Sequence, residues 1–405
     1  MLPVPRQVAV RLAIAVGVAF AAALVGLVLL WPPRASVTIP AGQAVTTPTV
    51  NARVVSSFVY GCRYATGPLG GAPIRCETSQ VKLQSGTGHG LIVPVDTNTG
   101  PGSAVLHAGD RITVASTEGP TGRIYEFVDY QRAFPLVVFG LLFAVFVVAV
   151  GRWRGVGAII GLFVTWLVLV RFAFPALLEG RDAVAVAVVA SAVIISVVLF
   201  VAHGISARTA TAVLGTLSSL VLVGILGTVV VHVTRLTGLS SDESSYLQTI
   251  TTVRLSGLLL AGMVIGSLGV LNDVTVTQAS AVWEIHAADP TAKPLGLYRA
   301  GMRVGRDHIA STVYTLVLAY AGAALPLLLL FDLGHAAFGQ VVTSEVVAEE
   351  VVRTLVGSVG LVACVPLTTA LACFVVTSGA RQAPEVPLPP VAVGSVPVDG
   401  GGPSA

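Results

Sequence analysis

Eight stretches of this chain are apolar enough to cross a bilayer as helices, and that limits the fold more than any motif does. A hydrocarbon core of about 30 Å needs roughly 20 apolar residues in α-helical form. Residues 8–30, 134–150, 156–174, 183–202, 210–233, 255–271, 309–331 and 355–376 meet or approach that length. Charged residues make up only 11% of the chain, against about 25% in soluble domains. Most of the surface therefore faces something other than water. The expectation is an α-helical polytopic membrane protein of about eight transmembrane helices, with the lipid bilayer as its first partner.

The basic residues orient those helices. Arg6 and Arg11 precede the first span, Arg152 and Arg154 separate the second from the third, and Arg208 separates the fourth from the fifth. Lys293, Arg299, Arg303 and Arg306 lie between the sixth and seventh spans, and Arg381 follows the eighth. All fall on one side if the chain starts in the cytoplasm, as the positive-inside rule requires. The other side receives Glu179, Arg181 and Asp182, then Asp242 and Glu243, then Glu345, Glu349 and Glu350. Both termini are thus expected inside. The first apolar run exceeds the usual h-region of about 7–15 residues, and no small-x-small site follows before Trp31-Pro32-Pro33. Residues 1–30 are therefore expected to be an uncleaved anchor.

Residues 31–133 are the only soluble stretch large enough to fold alone. Short alternating runs at 50–60, 75–83, 90–95, 111–115 and 123–128, bounded by turn residues, read as five strands. Five strands in so few residues suggest a small extracytoplasmic all-β, OB-like domain inserted after the first helix. Cys62 and Cys76 lie in it, on the oxidising side of the membrane, and are a disulfide candidate; two buried free thiols are the alternative. Cys364 and Cys373, nine residues apart in the last span, read as packing residues. Residues 134–377 form the seven-helix bundle. Residues 378–405, rich in Pro and Gly, are expected to be a disordered cytoplasmic tail.

Polar residues inside the apolar runs are the functional candidates, because an ionisable group at membrane depth costs several kcal/mol unless paired. Asn272 and Asp273 stand at the end of the sixth span. Asp273, Thr277, Ser280 and Glu284 follow at i, i+4, i+7 and i+11, one helical face. That stripe continues from the span into an amphipathic segment, which reads equally as a helix meeting water at the cytoplasmic surface. The seventh span opens with Asp307 and His308, and Thr312 and Thr315 follow on the face of His308. Asp307 in a first turn is also what the helix dipole favours, and hydroxyls at such spacing also serve helix packing.

The segment Gly269-Val270-Leu271-Asn272-Asp273-Val274-Thr275-Val276-Thr277-Gln278-Ala279-Ser280 resembles the YibE/F family of bacterial multi-pass membrane proteins, as does Gly305-Arg306-Asp307 leading into Thr315-Leu316-Val317-Leu318-Ala319-Tyr320. The order of parts, an anchor, a β-rich external segment and a hydrophobic bundle, agrees. The resemblance implies a plasma-membrane location and brings no reaction or substrate with it. A bacterial source also fits the near absence of Lys, present only as Lys82 and Lys293.

Several classes are disfavoured. There is no GxxxxGK[ST] loop, GxGxxG fingerprint or HExxH. The seven His residues show no close metal spacing. A net charge of +3 without a basic run gives no footing for nucleic acid. The chain is thus expected to be no enzyme, with no catalytic residues, cofactor or metal. Two functions remain. The first is a permease or carrier for an ion or small solute, with Asn272, Asp273, Asp307, Thr312 and Thr315 lining a cytoplasm-facing vestibule. The second is a scaffold or accessory subunit that docks a protein partner through the external domain.

Overall fold

The structure is a computed structural model and describes residues 5–32, 48–61, 75–86, 88–99, 104–119, 122–251, 253–334 and 337–380. In chain order it consists of α1 (Arg6–Leu29), strands β1 (Thr49–Gly61), β2 (Arg75–Leu83), β3 (Ile92–Thr99), β4 (Arg111–Gly119) and β5 (Gly122–Tyr130), and then helices throughout. These are α2 (Ala133–Val168), a π-helical turn (Leu169–Ala173), α3 (Phe174–Leu178), α4 (Ala183–His203), α5 (Ala207–Thr234) and α6 (Asp242–Ile250). They continue as α7 (Leu255–Ala288), α8 (Pro294–Ala323), α9 (Leu325–Leu333), α10 (Phe338–Thr343) and α11 (Glu345–Ala380). The chain divides into two compact units. One comprises residues 1–32, 160–245 and 253–405, the other residues 33–159 and 246–252.

Among the described residues, six helical stretches are individually long and apolar enough to cross a membrane, and the pair α8 and α9 makes a seventh if counted as one bent span. The expected second and third spans lie in one 46-residue stretch, Ala133–Leu178, in which two helices meet at a kink at Arg152, where φ is 52° and ψ −132°. The expected seventh span is itself broken. The chain turns by 61° between α8 and α9, where Pro326 follows Leu325 at the start of α9 and cannot donate to the preceding turn. The π-helical turn before Phe174-Pro175 has the same cause: Pro175 lacks the N–H that would continue the α-helical ladder.

Caps fix the ends of the central helices. Asp182 accepts from Ala185 N–H at 2.8 Å to start α4, and Ser206 accepts from Thr209 N–H at 3.1 Å to start α5. Each satisfies a donor that the first helical turn leaves free. Ser241 accepts from Ser244 N–H at 3.1 Å, so the Ser-Ser-Asp-Glu run starts a separate short helix, α6, and α7 begins afresh at Leu255. The core of the bundle unit lies among α4, α5, α7 and α11, with Leu199, Val213, Leu220, Leu271, Leu361 and Val365 fully buried. Cys364 and Cys373 are buried free thiols in α11, in keeping with packing residues.

The β unit is a small, nearly closed antiparallel sheet with strand order β3-β2-β1-β4-β5. Irregular pairing between Val54 and Ser56 in β1, and between Thr113 and Val114 in β4, marks the bends that curl it. Ala52, Val54, Val81, Leu83, Val95, Ile112 and Val114 alternate inward to make its core. Glu77 and Ser79 continue the inward face of β2 and are also fully buried. Glu77 accepts from Ser57 Oγ and, at 3.3 Å, from Leu106 N–H. Cys62 and the side chain of Cys76 lie outside the described residues, as does the tail from 381 onward.

Candidate functional site where α7 meets α8

α7 is one unbroken helix of 34 residues. At 1.5 Å per residue it is about 51 Å long, well beyond the hydrocarbon core. It therefore carries the apolar run and the polar stripe on a single rod. Its two polar faces have opposite fates.

The face singled out by sequence is the outer one. Asp273, Thr277 and Glu284 are exposed and Ser280 is half-buried. Thr277 Oγ1 donates to the Asp273 carbonyl at 2.8 Å and Ser280 Oγ to the Val276 carbonyl at 2.7 Å, so both hydroxyls are spent on their own helix. Asp273 does reach α8: its Oδ2 lies 3.9 Å from His308 Nε2, with the side chains 69% and 35% exposed. On α8, Thr312 donates to the His308 carbonyl and Thr315 to the Ser311 carbonyl, while Asp307 and Thr315 are exposed. Asn272 stands apart from these. Its Oδ1 is buried and has no hydrogen-bond partner.

The inner face carries Thr275, Gln278 and His286, all buried. Thr275 Oγ1 and Thr216 Oγ1 of α5 are 2.7 Å apart. Gln278 Nε2 donates to the Gly301 carbonyl of α8 at 2.9 Å and to Thr369 Oγ1 of α11 at 2.7 Å. One amide thus ties three helices. Further along the same seam, Cys364 Sγ lies 3.7 Å from Thr368 Oγ1. Glycines make room for it. A Cβ on Gly305 would clash with Val365 and lie 3.0 Å from Gln278 Oε1, and one on Gly215 would lie 2.5 Å from Thr368 Oγ1.

The α7 segment, its partner α8 and α11 all fall within the region matched by a family model described as YibE/F-like protein, residues 139–378, more than half of the chain. The chain belongs to the YibE/F-like family. No curated protein and no solved structure matches it. Family membership and the apolar helices together make it a membrane protein.

The segment around Asn272 and Asp273 that carries the resemblance lies within the matched region and spans both faces of α7. Gln278 and Thr275 lie inside that segment, yet residue type alone gave no reason to prefer them to the charged neighbours. The helical period offered the signal: Thr275, Gln278, Val282 and His286 run at i, i+3, i+7 and i+11. Among the described residues no group of three or more His, Cys, Asp or Glu side chains is placed to hold a metal ion.

Proposed function

We propose that this YibE/F-like protein is a permease or carrier for an ion or small solute, with its polar site where α7 meets α8. The observation that carries this reading is the buried Asn272 Oδ1 without a partner, next in sequence to Asp273 and its neighbour His308. A buried acceptor left unsatisfied costs about 1–3 kcal/mol. A cation or a donor-bearing solute held there would satisfy it, with the Asp273 carboxylate beside it to supply charge. Thr275 Oγ1, in the seam of Thr216, Thr275, Gln278 and Thr369, also donates to the Asn272 carbonyl at 3.0 Å.

Dividing the 46-residue stretch at Arg152 supports a full count of eight spans. At about 69 Å it is too long for one crossing, and the bent α8–α9 pair supplies the last. On this reading, with an even number of spans and the basic loops inside, both termini lie in the cytoplasm of a bacterial plasma membrane and the β unit outside. The reading requires no cofactor and no catalysis.

Proteoliposome flux across a panel of monovalent and divalent cations tests it. Asp273→Asn and Asn272→Leu are expected to abolish flux while the folded yield stays at the parent level. No flux for any cation, or flux untouched by both substitutions, would sink the carrier reading. A scaffold role is the second reading, favoured by apolar side chains on the solvent face of the β unit, among them Phe58, 65% exposed, and Val59. It expects in-cell crosslinking to recover a stoichiometric partner whose capture requires residues 31–133.

A further inference from the structure

The first turns of α11 hold a second polar arrangement that the α7–α8 site does not use. Glu345 Oε1 accepts from Thr237 N–H at 2.6 Å, Thr237 Oγ1 at 2.6 Å and Gly238 N–H at 3.1 Å. One turn later, Glu349 Oε2 accepts from Ser240 Oγ at 2.7 Å. Both carboxyl groups thus hold residues 236–241, the loop that follows α5. The same loop lies against the start of α7. A Cβ on Gly238, whose φ of +82° suits glycine, would sit 2.6 Å from the Leu255 backbone.

The two carboxyl groups are served very differently. Glu345 collects three donors. Glu349 is only 5% exposed, and its Oε1 is buried with no hydrogen-bond partner. The charged groups that act on it are Glu345, Arg353 and Glu350, all on its own helix. Arg353 is bound to Glu350 in a salt bridge. The loop contributes the Ser240 hydroxyl. Among the described residues, the one cation that acts on Glu349 is Arg353, already paired with Glu350. A carboxylate buried beside another carboxylate is held at high cost, whereas the neutral acid is not.

We propose that Glu349 is a proton-binding carboxyl at the end of the bundle where α5, α7 and α11 meet, and that its proton keeps the 236–241 loop clamped to α11. The inference stands independently of what, if anything, the α7–α8 site carries. Its sign follows from linkage. Once the loop opens, Glu349 meets water and titrates as an ordinary carboxyl. The clamped state binds the proton more tightly, so the clamp is firm at low pH and loosens as pH rises. An ionised Glu345 adds repulsion and pushes in the same direction.

Hydrogen exchange of the full-length protein in nanodiscs, read by mass spectrometry over residues 236–241 and corrected for the intrinsic pH dependence, tests this. From pH 4 to pH 8 the wild-type loop is expected to lose protection, by about tenfold for each tenfold by which clamping tightens the binding of the proton. Glu349→Gln, which imitates the protonated acid, is expected to stay protected across the range. Glu345→Ala is expected to lower protection at every pH. A wild-type loop whose corrected exchange is flat with pH overturns the proposal without any variant. A Glu349→Gln profile that tracks the wild type overturns it as well.

Discussion

The two polar faces of α7 carry similar residue types and do opposite things. The outer face presents Asp273, Thr277 and Glu284 to the surroundings, and its hydroxyls bond back to their own helix. The inner face presents Thr275 and Gln278 to other helices, and each reaches across to a residue far away in sequence. Charge did not decide which face would turn inward. Volume and pairing did: an amide can satisfy itself between a backbone carbonyl and a threonine hydroxyl, whereas a buried carboxylate there would need a cation. Polar residues in a membrane helix are thus informative only together with what faces them.

The sharpest way to break this contrast is to spoil the fit of the inner face. Gly305→Val would drive a side chain into Val365 and Gln278. Overpacking of this kind costs typically about 1–3 kcal/mol, and the upper end is expected because the nearest atoms belong to a packed helix. Thermal unfolding in detergent should show a large drop or a loss of folded yield. A variant as stable as the parent would mean that the inner seam is looser than described.

Next in size is Gln278→Leu, which fills a similar volume without an amide. It removes the bonds to Gly301 and Thr369. Thr369 Oγ1 still donates to the Val365 carbonyl at 2.6 Å, so the Gly301 carbonyl is the group whose bond is lost. A loss of about 1 kcal/mol is expected. A smaller, pairwise effect belongs to Thr216 and Thr275. A double-mutant cycle with Thr216→Val and Thr275→Val should give a coupling near 0.6 kcal/mol, the average for interhelical hydrogen bonds in membranes. A coupling indistinguishable from zero would make the 2.7 Å contact incidental.

Most of the architecture was legible in the sequence because membrane helices and short alternating strands announce themselves through hydropathy. Residues 50–60, 75–83, 90–95, 111–115 and 123–128 were read as strands and lie within or largely overlap β1 to β5. The break at Arg152 falls between the two spans that apolar counting separates. The departure came where a local backbone feature, not hydropathy, decides: Ala324 with Leu325-Pro326 bends what counting joins. At the site, the nearness of Asp273 to His308 was readable from the chain, but α8 begins at Pro294, so Asp307 and His308 stand at its middle and not in a first turn. The orphaned Asn272 oxygen and the buried Glu349 and Glu77 carboxyls were not readable. Their burial depends on distant helices and strands, and no local pattern encodes that.

The outer face gives the smallest expected effect and so the cleanest control. Asp273→Asn removes the charge and keeps the shape, and the side chain is mostly exposed with His308 Nε2 at 3.9 Å, an ion pair only when that imidazole is protonated. Exposed pairs of this kind contribute roughly 0–1 kcal/mol, and surface substitutions elsewhere stay within about 0.5 kcal/mol. Stability in detergent should therefore be unchanged within about 0.5 kcal/mol. That outcome is what allows a loss of flux in the same variant to be read as loss of a site and not of a fold. A destabilisation well above 1 kcal/mol would instead show that Asp273 helps hold α8 in place, and the division of α7 into a packing face and a working face would fall.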